Sequence, residues 1–344
     1  WSSDVCSSDL TKGKNMNNIK KIGLTALAGS LVSISAQAAE MSVNGATMLT
    51  YTSEDGSEVT GNPFGMKTNL AFTASGEVNG YNVSYYQASQ DQFAGMSSAR
   101  LSIDMGDMGT LAFDQGSGSG LATIDDKTPT AAEEIWDGLD VTTSGRVGAA
   151  GSSGVFNYVK SFEGVTFNGA ARKGSGTSNS DGASSGVGQG AWDFALTADG
   201  SSMGVDGLAI GAGYGEAENG SEASTTGGDN AHTTAFANYS VGPVTFGAQM
   251  SYEHNNTTGT RDEETTAWGL AFNVNENLSI SYGERDVVFR GQGSGDITEK
   301  GDGIAVAYTM GSMKIAGNMN DATNQGGTTA ANDSMTEIAV SFAF

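Results

Sequence analysis

The chain has 344 residues, of which 51 are Gly and only 3 Pro; 16% are charged and the formal charge is −23. So acidic a balance lacks the basic face that a phosphate backbone requires, which excludes nucleic acid as a partner. A single cysteine excludes an intrachain disulfide framework, and abundant Gly, Ser, Thr and Asn with little Leu points away from a helical core, toward many short strands or disorder.

Residues 1–15 read as a non-native leader. Trp1 to Leu10 (WSSDVCSSDL) resembles a sequencing-library adapter translated in frame, which makes Met16 the natural start and sets Cys6 aside. Residues 16–38 read as a secretory signal. Lys20 and Lys21 form the charged region, Ile22 to Ile34 the apolar run, and Ala36-Gln37-Ala38 the small-x-small cleavage site, so the mature chain starts at Ala39. That run is too short for a membrane helix, which needs about 20 residues. Export across an inner membrane without a helical anchor follows. Losing both segments removes Lys12, Lys14, Lys20 and Lys21 against only Asp4 and Asp9, so the remainder, 39–344, is more acidic still.

Strand candidates then follow one another. Ser42 to Tyr51 is the first, and an acidic loop with Glu54, Asp55 and Glu58 comes after it. Met66 to Ala74 sets Leu70, Phe72 and Ala74 against Lys67, Asn69 and Thr73, the period-two alternation of a strand with two unlike faces. Glu77-Val78-Asn79-Gly80 predicts a tight turn, because Asn-Gly tolerates positive φ, and leads into Tyr81, Val83 and Tyr85. Ala99 to Met105 and Leu111 to Phe113 repeat the unit around Gly106 to Gly109. After the longest irregular stretch, Gly116 to Ser144, Val155 to Lys160 and Val165 to Arg172 flank a turn at Ser161 to Gly164.

Beyond a Gly/Ser-rich loop, Gly174 to Gly190, the pattern resumes. Trp192, Phe194 and Leu196 pair with a return through Leu208, Ile210, Ala212 and Tyr214. Thr233 to Val241 turns at Gly242-Pro243 into Val244 to Tyr252. Trp268 to Val274 turns through Asn275-Glu276-Asn277 into Leu278 to Tyr282, and Ile304 to Met310 turns at Gly311-Ser312 into Met313 to Met319. The final segment sets Ile338, Val340, Phe342 and Phe344 against Glu337, Ala339, Ser341 and Ala343. The sum is sixteen strands, with seven short turns alternating with eight longer loops.

The apolar face of these strands carries nearly all the Leu, Ile, Val, Phe and Trp, whereas the other face is mostly small or uncharged. That is the reverse of a dry core inside a wet surface. In a bilayer every backbone group must be paired, so an all-strand protein must close on itself. The predicted fold is an all-β, transmembrane, antiparallel up-and-down β-barrel. Aromatics at strand ends, Tyr51, Tyr81, Tyr214, Tyr252, Tyr282, Phe342 and Phe344, suit interfacial girdles. A secreted β-sandwich or β-helix is the competing class, and no fixed repeat of 20–50 residues supports it.

With its signal peptide, sixteen alternating strands, long third loop and terminal Phe344, the chain from Met16 to Phe344 resembles a Gram-negative general porin of the kind found in α-proteobacteria. The resemblance implies an outer-membrane homotrimer in contact with lipid and lipopolysaccharide, a water-filled lumen, and a third loop folded inward to narrow it.

A sixteen-strand barrel leaves an aqueous channel, so function rests on its lining. By alternation the inward basic candidates are Lys67, Arg100, Arg172, Arg285 and Lys314, and the inward acidic ones Asp104, Asp114, Asp193, Glu253 and Glu337. Simple solvated wall charges are the bland reading of the same residues. Gly116 to Ser144 matches the family's third loop in order and length, and holds Asp125, Asp126, Glu133, Glu134, Asp137 and Asp140 against a lone Lys127. Thr130 to Trp136 suits one or two helical turns after Pro129. Folded inside, the loop carboxylates would oppose Lys67, Arg100 and Arg172, giving a transverse field. Acidic rings select cations, so the expectation is passive diffusion of small hydrophilic solutes and ions with a mild cation preference and no cofactor. A solvent-facing acidic loop is the alternative.

Acidic loops at Glu216 to Asp229 and Asp262 to Glu264 carry oxygen ligands of the kind Ca²⁺ takes, without a spaced ligand motif. His232 and His254 lack a nucleophile context, and Gly116 to Gly120 lacks the Lys of a phosphate loop, so no enzyme is expected. Two rival functions stay open, a substrate-selective channel and a structural or adhesive surface barrel with a blocked lumen.

Overall fold

The computed structural model describes residues 40–56, 60–89, 97–139, 147–151, 153–174, 190–218, 229–256, 260–291 and 295–344. The leader and the signal segment lie outside the described residues.

Sixteen strands run in chain order: β1 (Glu40–Gly56), β2 (Phe64–Val78), β3 (Tyr81–Ser89), β4 (Ser98–Asp104), β5 (Thr110–Gln115), β6 (Ser153–Phe162), β7 (Val165–Arg172) and β8 (Ala191–Asp199), then β9 (Leu208–Ala217), β10 (Asn230–Val241), β11 (Val244–His254), β12 (Glu263–Asn273), β13 (Leu278–Phe289), β14 (Ile297–Met310), β15 (Met313–Thr323) and β16 (Asn332–Ala343). Each is the neighbour of the strands before and after it, and β1 pairs antiparallel with β16, Thr47 opposite Phe342 and Tyr51 opposite Ile338. The sheet is a closed barrel, so every strand has two partners and no edge is exposed.

The two faces separate as the alternation requires. On β16, Asp333, Met335, Glu337 and Ala339 are buried while Ile338 and Phe342 are exposed. Outward rows run round the barrel and include Leu49, Phe156, Leu270 and Ile304, each at least 42% exposed. In water such a belt would cost about 25 cal/mol per Å² of apolar surface; in hydrocarbon it costs nothing. No helix among the described residues is long and apolar enough to cross a membrane.

The short links form as their residues dictate. Val78 faces Tyr81 across Asn79 and Gly80, whose φ values of 54° and 85° are those of the primed turn that matches strand twist. Val241 faces Val244 across Gly242, at φ 56°, and Pro243. Two tyrosines pair with carboxylates two positions along the same strand. The hydroxyls of Tyr214 and Tyr282 donate to Glu216 Oε1 (2.6 Å) and Glu284 Oε1 (2.8 Å), and the Trp268 indole N–H reaches Glu284 Oε2 at 3.2 Å. Trp268 packs edge-on to Tyr282 with ring centroids 5.6 Å apart. An apolar ring body with a polar tip is the chemistry of a membrane–water boundary.

Candidate channel constriction

The connection between β5 and β6 turns into the barrel. Its entry is fixed by Arg100 and Asp114, which face each other on β4 and β5. Arg100 donates to Asp114 Oδ2 at 3.1 Å and to the Gly118 carbonyl at 2.5 Å, while Ser119 Oγ donates to Asp114 Oδ2 at 2.7 Å. A helical turn follows at Gly120–Ile124. Its first N–H groups meet inward side chains of the wall, Gly120 N–H donating to Asn168 Oδ1 (2.9 Å) and Leu121 N–H to Asp193 Oδ1 (3.0 Å). Asp193 Oδ2 also accepts from Ala150 N–H at 2.7 Å, so one carboxylate on β8 holds both limbs of the loop. Leu121, Ile124 and Val147 pack with Ala195 and Phe236 into a small apolar cluster, the reason a phenylalanine faces inward on β10.

From there the loop crosses the inner wall strand by strand. Gln249 on β11 donates to the Ile124 and Asp125 carbonyls at 2.9 and 3.0 Å and accepts from Lys127 N–H at 2.7 Å. Asn238 on β10 donates to the Lys127 carbonyl at 2.7 Å. Ala131 N–H donates to Ser281 Oγ on β13 at 2.8 Å. Asn320 on β15 donates to the carbonyls of Glu134 (3.1 Å) and Asp137 (2.9 Å), and Leu139 packs with Ala322 and with Met335 on β16.

This path corrects the helix expected over residues 130–136. The backbone there bends at 131–133 and turns at 135–138, with Asp137 N–H donating to Glu134 O and Leu139 N–H to Trp136 O. Backbone groups that a helix would pair with each other are instead paired with Ser281 and Asn320. The helical turn lies earlier, at Gly120–Ile124.

The expected charges divide into two groups. Arg100, Asp114, Asp193 and Arg285 do point inward, but they brace the loop rather than line an open passage. Asp114 is fully buried, and Arg285, 5% exposed, donates to Glu299 Oε1 at 3.2 Å with its guanidinium over the Trp136 ring. Arg172 bears electrostatically on Asp193 and stands beside the same brace. Asp104 sits at the rim, where it accepts from Gly106 N–H at 2.9 Å and closes a turn. Glu337 accepts from Thr52 Oγ1 at 2.9 Å. Glu253 stands 3.9 Å from the His232 ring nitrogen.

The second group is on the loop and opposite it. Burial first, then Asp137 and Glu134, push the Glu133 carboxyl above its ordinary range, and Lys67 on β2 and Lys314 on β15 oppose that rise. Wall ammonium groups therefore act on the loop carboxylates, though the pair that does so is Lys67 and Lys314 rather than the expected Lys67, Arg100 and Arg172. Asp126 is pushed up to about 6, by burial and then by the adjoining Glu134 carboxyl, to which it is hydrogen bonded; Asp125 adds to the rise and Lys127 opposes it. Asp140 lies outside the described residues.

Among the described residues no group of three or more His, Cys, Asp or Glu is arranged to hold a metal. Asp262, one of the expected Ca²⁺ oxygens, instead faces His254 Nδ1 at 3.0 Å and accepts from Tyr252 Oη and Asn255 N–H. Most of Glu216 to Asp229 lies outside the described residues.

The residues that sequence reasoning missed are the uncharged ones: Asn168, Asn238, Gln249, Ser281 and Asn320. Their signal was a carboxamide or hydroxyl at an inward mid-strand position, hard to separate from ordinary lumen polarity.

The inward-folded link between β5 and β6 is the third of the long connections of a closed sixteen-strand barrel. The family model described as Gram-negative porin matches residues 23–324. The chain belongs to the Gram-negative porin family. A refined porin structure superposes with a TM-score of 0.66 at 12% identity, covering 89% of this chain and 100% of that one. An anion-selective porin from Comamonas acidovorans gives 0.61 at 11% identity, covering 89% and 100%. The trimer form of the Vibrio cholerae outer-membrane protein OmpT gives 0.61 at 13% identity, with the same coverage. No curated protein matches by sequence. Membership makes this porin an outer-membrane channel protein of a non-enzymatic family, and its two histidines stand beside Glu253 and Asp262.

Proposed function

We propose that this porin lets small hydrophilic solutes and ions diffuse passively through a water-filled lumen narrowed by the loop from Gly116 onward, with a mild preference for cations. The observation that carries the reading is the loop carboxylate Glu133, flanked by Glu134 and Asp137 and opposed by Lys67 and Lys314 on the wall. Opposed charges across a passage orient dipolar solutes and hinder apolar ones, and the loop's excess of carboxylates favours cations. The fold itself does not decide selectivity, since the anion-selective Comamonas acidovorans porin has a similar one. A homotrimer is part of the proposal, supported by the trimer form of the similar OmpT and by the apolar belt available for packing. So is a mature chain that begins at Ala39, which N-terminal sequencing of the exported protein tests.

The deciding experiment is single-channel recording in planar bilayers under a KCl gradient. Ohmic steps grouped in threes, with a reversal potential on the cation-selective side, are expected. An anion-selective potential would overturn the cation preference, and a folded protein without conductance would favour the blocked structural barrel.

A further inference from the structure

Beneath the loop lies a row of residues that hold no charge and touch no solute. Asn238, Gly247, Gly269, Gly283, Gly303 and Asn320 are successive Cα partners across β10 to β15. Four consecutive strands thus present glycine at one level, bracketed by two asparagines. At about 4.8 Å per strand the row spans roughly 24 Å. The loop runs along it. Asn238 holds the Lys127 carbonyl and Asn320 holds those of Glu134 and Asp137, so the bracketing carboxamides grip the two ends of one segment. Between them the loop rests on the glycines. A Cβ on Gly247 would come within 2.6 Å of Pro129 Cδ, and one on Gly269 within 2.5 Å of the Pro129 carbonyl oxygen. One on Gly283 would stand 2.9 Å from the Trp268 carbonyl oxygen of β12 and 3.3 Å from Ile135 Cγ2, and one on Gly303 would overlap Asn320 Oδ1 and stand 3.1 Å from Ile135 Cβ.

Glycine inside a strand gives up packing and conformational restriction, and is retained where another backbone approaches closely. We infer that this row sets the aperture of the channel: it is a floor whose depth decides how far the constriction loop stands into the lumen, and Asn238 and Asn320 fix where along the wall the segment begins and ends. The selectivity of passage by size then depends on positioning residues that never meet a permeant. The inference rests on reading the loop as the constriction. A side chain added at Gly269 meets the Pro129 backbone first and lifts it toward the axis, whereas at Gly247 and Gly303 it also displaces the Asn238 or Asn320 carboxamide and at Gly283 it also crowds the Trp268 carbonyl; the lift grows with side-chain volume.

The test is a graded series, Gly269→Ala and Gly269→Val with Gly283→Ala and Gly283→Val, read by single-channel conductance and by the largest polyethylene glycol that enters. Gly301→Ala is the control. It sits on the same face of β14, two residues from Gly303, and its Cβ would meet nothing closer than a backbone oxygen at 3.6 Å. Conductance should fall in step with volume, to roughly half for the valines, with a smaller polymer cut-off and with Gly301→Ala unchanged. An unaltered conductance in a folded valine variant, or an equal loss in Gly301→Ala, would overturn the inference. The alanine variants serve if the valines fail to fold, judged by heat-dependent electrophoretic mobility. A second measurement needs no current: Ile135→Cys with Gly303→Cys in the exported chain should oxidise to an intramolecular disulfide seen by mass spectrometry, since the two Cβ positions would stand 3.1 Å apart, a few tenths of an ångström inside the usual disulfide range. Absence of that bond in folded barrel would overturn the seat itself. A wild-type protein that conducts nothing but forms the bond would sink the constriction reading and leave the seat standing.

Discussion

The Arg285 guanidinium lies over the indole of Trp136, 5.0 Å from its ring centroid, and donates to Glu299 at 3.2 Å. Glu299 also accepts from Gly326 N–H at 3.0 Å. One cation on β13 therefore links the inward loop, the wall and the connection between β15 and β16. Its charge is neutralised by a neighbour on the adjacent strand, which is why it is found buried inside a channel.

Removing that cation should be costly. In Arg285→Ala the Glu299 carboxylate, 1% exposed, loses its partner. Breaking a buried pair from one side costs about 3–5 kcal/mol, and the stacked indole adds about 1 kcal/mol. The urea midpoint of detergent-folded protein, followed by tryptophan fluorescence, should drop markedly. The double variant Arg285→Met/Glu299→Leu should recover most of the loss. A single variant as stable as wild type would show that the pair does not brace the loop.

The Asp126–Glu134 contact predicts a pH-dependent selectivity. Asp126 is pushed up to about 6, by burial and then by Glu134. Above that value Asp126 is charged; below it Asp126 takes a proton and the loop loses a negative charge. Cation preference should therefore weaken as pH falls from about 7 to about 5, well above the ordinary carboxylate range. Asp126→Asn should flatten the step at a constant, lower preference. Reversal potentials at 0.1 M KCl check this, and a wild-type preference flat across that window would contradict it.

Periodicity made the barrel readable from sequence because each strand has lipid on one side and water or loop on the other, so alternation in Val165–Arg172 or Ile338 to Phe342 survives tertiary packing. Turn chemistry at Asn79-Gly80 is equally local. The path of the loop is not local. Thr130 to Trp136 has helical potential, but Ser281 and Asn320, 150 or more positions away in the chain, take its backbone groups. Direction toward the lumen was legible for Arg285 and Asp193, whereas burial under the loop was not. The glycine row was illegible for the same reason: Gly247, Gly269, Gly283 and Gly303 align only once strand register is known.

Lys67 and Lys314 should limit the cation preference. Both favour the charged form of Glu133 from the wall, against burial and the Asp137 and Glu134 carboxylates, which disfavour it. Lys67→Glu and Lys314→Glu each replace a repulsive charge with an attractive one and should raise the K⁺/Cl⁻ permeability ratio by about twofold or more, and the double variant by more than either. Glu133→Gln should lower it. The shifts should shrink at 1 M salt, where the screening length is about 3 Å. Reversal potentials measured at both salt levels decide it, and a ratio indifferent to both lysines would remove the opposed-charge reading.

Asp193 offers the sharpest test of how the loop is held. It is 2% exposed and accepts from Leu121 N–H and Ala150 N–H, one on each limb. Asp193→Ala strands both donors at about 1–3 kcal/mol each, offset in part because a buried carboxylate is no longer desolvated. The barrel strands keep their backbone ladder, so the loss should appear as local opening of the loop. Lys127, whose backbone is bonded to Gln249 and Asn238 in the closed state, then becomes a trypsin site. Cleavage there tracks the open population, and about 1.4 kcal/mol corresponds to a factor of ten, so the variant should be cut roughly tenfold faster or more, with Asp193→Asn in between. Cleavage after Lys127 at the wild-type rate, in a barrel of unchanged electrophoretic mobility, would mean that the loop is held elsewhere.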